Sequence, residues 1–266
     1  DGLYLAVTRV TGTFVVEDLK VGGVTKATVS VLSPAVDDFL DNIITKAAAD
    51  EYQSSIAKVP GMSALRGLAI LNNVVYAWRD AVGSPSASMA IYKSSGSGWT
   101  AVAMLHQVSF TLGTSEYAEA STLTQGATNA TVKRVVLESG SWGAGTAAGR
   151  LIITAPTGGV YAAGAAVGGG GCTLSGASAL IALLPGGRVR TTTYQFTASL
   201  SSLRLYGCDG VNPEFEFDGT VYVPLATGMG SVRASCVAGH KNQLFFAYRT
   251  SMQHSGPGFP YVWAPI

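Results

Sequence analysis

The chain has 266 residues, 47% of them hydrophobic and only 12% charged, with 17 Lys and Arg against 16 Asp and Glu. That is ample for a buried core and excludes an intrinsically disordered chain. Charge this even and unblocked gives no basic patch for non-specific nucleic-acid binding. No apolar run, ASALIALLPGG (177–187) included, reaches the about 20 residues of a membrane helix.

Glycine accounts for 33 residues, and Ala, Ser, Thr and Val are plentiful, a composition that predicts many turns joining short strands. The cysteines, Cys172, Cys208 and Cys236, are odd in number and lack Cys-x-x-Cys spacing, so they read as buried free thiols rather than disulfides or a zinc site. The chain starts at Asp1 and stops at YVWAPI within a strand pattern, as expected of a fragment or of the ordered part of a longer chain.

Residues 3–32 alternate in the strand manner around a Gly22-Gly23 turn, predicting two or three strands. A helix follows: Ser33 can cap it, Pro34 suits its first position, and Val36, Phe39, Leu40, Ile43, Ile44, Ala47, Ala48 and Tyr52 form one apolar stripe. Residues 1–60 are therefore expected to form a platform of strands plus this amphipathic helix. From Ala64, RGLAIL, NVVYAWR, SMAIYKS and GWTAVAML are short, β-branched or aromatic, and bounded by turn residues, which predicts a four-stranded antiparallel meander.

The segment NNVVYAWRD (72–80) is echoed by KNQLFFAYR (241–249) when Asn72 is laid on Asn242. The later copy keeps the order ASCVAGH, QLFFAYR, SMQHSG, PYVWAPI, and between the two lies a partial copy, RLYGC, FEF and TVYVPL, punctuated by Asp209-Gly210 and Asp218-Gly219. Repeated four-stranded units are the signature of propeller blades. The expected fold is mainly β: a partial propeller over 61–109 and 191–266, interrupted at 110–190 by an inserted β-barrel or sandwich module dense in Gly, Ala and Thr.

No catalytic pattern emerges. GAGTAAG (143–149) lacks the ending of a phosphate loop, and GGGG (168–171) specifies no more than a turn. His106, His240 and His254 have no metal-ligand spacing, Asp209 and Asp218 read as hairpin-turn residues, and no serine sits in a nucleophile elbow. No enzyme activity, cofactor or metal is expected. The repeat singles out architectural or interface positions instead: Trp78, Arg79, Trp99, Tyr248, Arg249 and Trp263. Arg79 and Arg249, each following an aromatic, read as strand-end arginines stacking on Trp78 or Tyr248 and bonding neighbouring loops.

Taken together, 56–80, MAIYKSSGSGWTAV (89–102), 204–229 and 238–263 resemble a family of tailed-bacteriophage virion proteins of the tail nozzle or tubular type. TQGATNATVKRVVLESGSWGAGTAAGRLIIT (124–154) is similar to a small β-module that recurs in phage structural proteins. The likeness covers most of 50–266. It implies a structural subunit of the virion tail, made in the host cytoplasm, that forms a ring with copies of itself, of sixfold symmetry, and docks on an adaptor or portal. DNA would pass through its lumen without specific binding, and closing blades would lie beyond the present C-terminus. The other class left open is a host-contacting propeller that binds or depolymerises carbohydrate.

Overall fold

A computed structural model describes residues 18–28, 45–47, 49–53, 56–83, 86–199 and 202–263. The chain divides into two compact units, Asp1–Lys58 and Val59–Ile266. In the first, Asp18–Val21 (β1) and Val24–Thr28 (β2) form a hairpin whose turn residues, Gly22 and Gly23, have φ of 60° and 79°. Residues 45–47 and 49–53 are helical, with Lys46 bonded to Asp50 one turn on. The expected strands before Asp18 and the helix start at Ser33 and Pro34 lie outside the described residues.

The second unit is all β. Its first sheet is the meander Leu65–Leu71 (β3), Val74–Asp80 (β4), Met89–Ser95 (β5) and Gly98–Ala101 (β6). The insertion follows as His106–Ser115 (β7), Thr122–Gln125 (β8), Thr128–Ser139 (β9), Ala147–Ile153 (β10), Gly164–Gly168 (β11), Gly171–Leu174 (β12) and Ala179–Leu180 (β13). Its pairings run β10-β9-β8-β11-β12-β7 and return from β7 to β10, so six strands close a ring. Inside pack Phe110, Leu123, Val132, Leu151 and Leu174, with Tyr117 and Tyr161 donating their hydroxyls to the carbonyls of Ala166 and Leu123.

Two more antiparallel meanders complete the unit. They are Arg190–Tyr194 (β14), Arg204–Cys208 (β15), Phe215–Phe217 (β16) and Tyr222–Pro224 (β17), then Cys236–His240 (β18), Gln243–Ala247 (β19), Met252–Gly256 (β20) and Phe259–Trp263 (β21). The partial copy is thus a full sheet whose first strand, RTTTY, is too polar to announce itself. The second sheet lies between the other two. One of its faces (Leu205, Phe215, Phe217, Tyr222) packs on Tyr76, Trp78 and Ile91 of the first sheet, and the other (Tyr206, Cys208, with Tyr194) packs on Leu244 and Phe246 of the third.

The leading strands β3, β14 and β18 sit side by side, β14 touching both others. Val189, just before β14, donates its backbone N–H to Arg66 O at 3.0 Å. Two glycines allow the close approach: a Cβ on Gly67 would collide with Val189, and one on Gly239 with the Tyr194 ring. Tyr194 also accepts at its hydroxyl from Asn242 N at 2.7 Å, tying the β18–β19 turn to the second sheet.

The echoed segments both face the second sheet, from opposite sides of it, and do not share a turn position. Tyr76 and Trp78 are buried against the second sheet, as are Phe246 and Tyr248 on its other side. Both turns are two-residue hairpins with positive φ at each centre, Asn72-Asn73 (50°, 61°) and Lys241-Asn242 (44°, 60°). Asn72 is therefore the first turn residue and Asn242 the second. The core-facing set is repeated while the turn slips by one. Replacing Gly239 by Ala is expected to lower stability by about 1–3 kcal/mol through overpacking on Tyr194, read as a shifted urea midpoint with unchanged slope.

Candidate functional site

The best-organised polar site is the joint between the inserted module and the second sheet. It starts from an irregularity in β9. Ile152 pairs with Arg134 but Ile153 with Val132, so Lys133 is an extra residue in that strand. A bulge of this kind flips the alternation beyond it. Ala130 and Val132 point into the module before the bulge, and Val135 and Leu137 point in after it. Arg134 and Val136 are turned out, Val136 joining the core shared by the first and second sheets along with Ile152.

Arg134 is only 7% exposed and meets three carboxylates, one at each guanidinium nitrogen. Nε stands 2.7 Å from Glu119 of the module, Nη2 donates to Asp218 at 2.5 Å, and Nη1 donates to Glu216, which is itself buried at 2% exposure. The other oxygen of Glu216 accepts from Tyr261 at 2.9 Å and Tyr206 at 3.1 Å, while Arg204 Nε lies 3.8 Å from the oxygen that Arg134 holds. Strands of the module and of the second and third sheets thus converge on one carboxylate. A parallel contact lies alongside, where Arg150 bonds Glu138, Gln107 and the carbonyl of Pro224 on the outer strand of the second sheet.

Burial pushes the Glu216 carboxyl up, opposed by Arg134, Tyr261, Arg204 and Tyr206. Burial is the largest single influence on Arg134 and opposes its charge, but Glu216, Tyr261 and Glu119 together outweigh it and the guanidinium is held above its ordinary value. The phenols of Tyr206 and Tyr261 are pushed up by burial and by Glu216. Asp218 moves the other way. Burial would raise it, but the backbone N–H groups of Val221 and Thr220, the Thr220 hydroxyl and Arg134 together hold it below the usual carboxylate range. These groups are engaged with one another, and together they fasten the module to the sheets.

Three smaller polar knots follow the same rule. Glu214, fully buried, accepts from Ala234 N at 2.7 Å and Thr227 Oγ1 at 3.1 Å, and Thr227 in turn accepts from Tyr248. Asp80 is held below its ordinary pKa by Arg66, at 2.8 and 2.5 Å, and accepts from Gly186 N. Asp209 closes a turn on the N–H groups of Val211 and Asn212. Asp209 and Asp218 are turn residues, but in loops longer than a two-residue hairpin: β15 ends at Cys208 and β16 starts at Phe215, and Asp218 leads into Val221.

The positions drawn from the repeat scatter. Trp78 is sealed between the first and second sheets, its ring 5.9 Å from Phe215. Trp99 is half-buried on β6. Arg79 donates to Ser63 O at 2.8 Å and Val59 O at 2.6 Å, bonding a neighbouring loop. It cannot stack on Trp78, because adjacent strand residues point to opposite faces. Tyr248 is buried and bonded to Thr227, whereas Arg249 is exposed beyond the end of β19, so the two arginines do not hold equivalent places. Trp263 packs 5.5 Å from Phe246 and donates to Pro260 O.

Cys172 and Cys208 are buried, but Cys236 is exposed, contrary to expectation, because it faces outward on the last sheet of the stack with Arg190 at 2.9 Å from its sulfur. Among the described residues no group of three potential ligands is placed to hold a metal ion. No family model, characterised protein or solved structure matches the chain.

Replacing Arg134 by Met leaves Glu216 buried without its cation and is expected to cost about 3–5 kcal/mol. A double-mutant cycle with Glu216→Gln should return a coupling of about 1.5–3 kcal/mol in urea denaturation. Asp218 has a lower pKa folded than unfolded, so its contribution is complete above pH about 4 and lost as the pH falls through the depressed value. Asp218→Asn keeps the turn, since Asn closes it equally well. It is expected to flatten the acid limb of the stability profile measured between pH 6 and 3.

Proposed function

We propose that the chain is a non-catalytic structural subunit of a bacteriophage tail, a partial β-propeller carrying an inserted module, which assembles with its own copies into a nozzle ring on an adaptor or portal. The observation that carries this reading is the stack of three four-stranded meanders with leading strands abreast, into which a closed module is riveted by Arg134. It has the build of a rigid spacer: aromatic side chains fill both sheet interfaces, and buried charge is spent on joints. The sequence likeness to nozzle-type virion proteins supplies the biological setting. A near-neutral chain suits a lumen that DNA must traverse, because each phosphate contact adds salt-sensitive grip.

The carbohydrate-binding reading needs a concave cluster of open aromatics and carboxylates. A shallow hollow lined by Glu116, Tyr117, Ala118, Glu119 and Val135 comes nearest, but Tyr117 is sealed in the module core and Glu119 is engaged by Arg134. The structural reading therefore stands ahead. Mass spectrometry of purified particles is expected to find the chain at several copies per virion, and antibody labelling to place it at the tail. Its absence from particles, or glycan-array binding by the isolated protein, would overturn the assignment.

A further inference from the structure

The even charge balance of the whole chain hides a segregation in the second and third sheets. Beyond Glu138 the side-chain carboxylates are Asp209, Glu214, Glu216 and Asp218, none of them exposed. Each is spent inside: Glu216 and Asp218 on Arg134, Asp209 on the N–H groups of Val211 and Asn212, and Glu214 on Ala234 N and Thr227. Four arginines of the same sheets fare differently. Arg188, Arg190 and Arg249 are exposed and Arg233 is half-buried, and among the described residues no carboxylate engages any of them.

All four stand where the second and third sheets meet, at the end where β14 and β18 begin and β15 and β19 finish. Arg190 opens β14 opposite Cys208, the last residue of β15, and reaches across to the third sheet, donating to Cys236 Sγ at 2.9 Å. Cys236 pairs with Ala247, and Arg249 follows two residues on, about 7 Å along the chain. Arg233 precedes Cys236 by three residues and donates to Gly230 O at 2.7 Å, and Arg188 precedes Arg190 by two, its backbone N–H bonded to Asp209 O. The strand spacings put the four in a patch about 20 Å across. The thiol and the carbonyl hold two of the guanidiniums in place without neutralising them. Asp209 and Glu214 offset part of the charge from below, and the rim remains positive.

We propose that this arginine rim contacts the phosphodiester backbone of duplex DNA without reading its sequence. The guanidinium fork donates two parallel N–H groups to a phosphate, a fit that a lysine ammonium lacks. Tyr248, the aromatic beside Arg249, is buried and bonded to Thr227, so it offers no ring on which a base could stack. A duplex carries one charge per about 1.7 Å of axis, so about 20 Å of it presents about twelve phosphates, more than four arginines need. Four contacts make a light, salt-sensitive grip that lets the duplex slide. The choice of DNA over another polyanion rests on the tail reading, in which duplex passes the assembled ring.

The test is fluorescence anisotropy of the purified chain with a labelled duplex of mixed sequence, titrated over a series of salt concentrations. Four phosphate contacts give a log–log slope of about −3.6, which is about a twelvefold loss of affinity for each doubling of salt. Arg188→Gln and Arg249→Gln, both at exposed positions, are each expected to weaken binding at low salt and to make the slope shallower by about 0.9, with unchanged far-ultraviolet circular dichroism. Arg249→Lys keeps the charge and should keep the slope. Lys241→Gln removes an exposed cation from the turn at the opposite end of β18 and should change neither reading. Failure to bind duplex at about 50 mM salt, a slope indifferent to the arginine variants, or equal weakening by Lys241→Gln would overturn the proposal. So would poly-glutamate that displaces the duplex as well as unlabelled duplex does, since the rim would then be a dock for an acidic protein. Particles that contain the chain while the purified chain ignores duplex sink the DNA contact alone, and a chain that binds duplex but is missing from particles sinks the tail reading alone.

Discussion

The guanidinium of Arg134 is the constraint around which the second unit is organised. It stands where three independently hydrogen-bonded pieces meet, the module ring and the second and third sheets, and the carboxylate it neutralises is sealed from water. Such a pair contributes little if judged against an apolar core of the same shape, because desolvating both charges nearly cancels their attraction. Its value is directional. Hydrophobic contacts such as Val136 and Ile152 against the sheet core would tolerate the module sliding, whereas Arg134 can satisfy Glu119, Glu216 and Asp218 together in one placement only.

That placement depends on one extra residue. Without the bulge at Lys133, the alternation of β9 would carry Arg134 into the module, beside Val132 and Leu151, and expose Val135 instead. A covalently trivial irregularity therefore decides which side of the strand speaks to the sheets. Gly149 on the partner strand is part of the same arrangement, since any side chain there would run into the carbonyl of Val136. The glycine that looked like part of a loose Gly-rich loop is fixed by a close backbone approach within a strand.

The strands were legible in the sequence because they are short, alternating and bounded by turn chemistry, and the first and third meanders follow the repeated motif closely. The first strand of the second sheet was not, because RTTTY has no apolar side to display. The polar joint was hidden for a related reason. In PEFEF the Glu–Phe alternation looks like one wet and one dry face, which is right for a sheet at the edge of a fold and wrong for one packed on both sides. Glu214 and Glu216 are buried because a third sheet covers them, and no local pattern announces a third sheet. Arg134 did leave a signal: Lys133-Arg134 puts two charges in succession within ATVKRVVLE, where a regular strand would send one of them inward.

The two arginines of the echo show how far a repeat can be trusted. Repetition preserved what packing demands, Tyr76 with Phe246 and Trp78 with Tyr248, since each must fill an interface with the middle sheet. Arg79 fills no such interface, and its bonds go to a loop, Val59 to Ser63, at the start of the first sheet. Nothing obliges Arg249 to follow it, and the one-residue slip of the turns releases Arg249 past the strand end. Side chains that answer to the shared interface recur, and those that answer to local chain path do not. By that criterion the positions most constrained across the sheets are the aromatics facing the middle sheet and the glycines beneath its leading strand, Gly67 and Gly239.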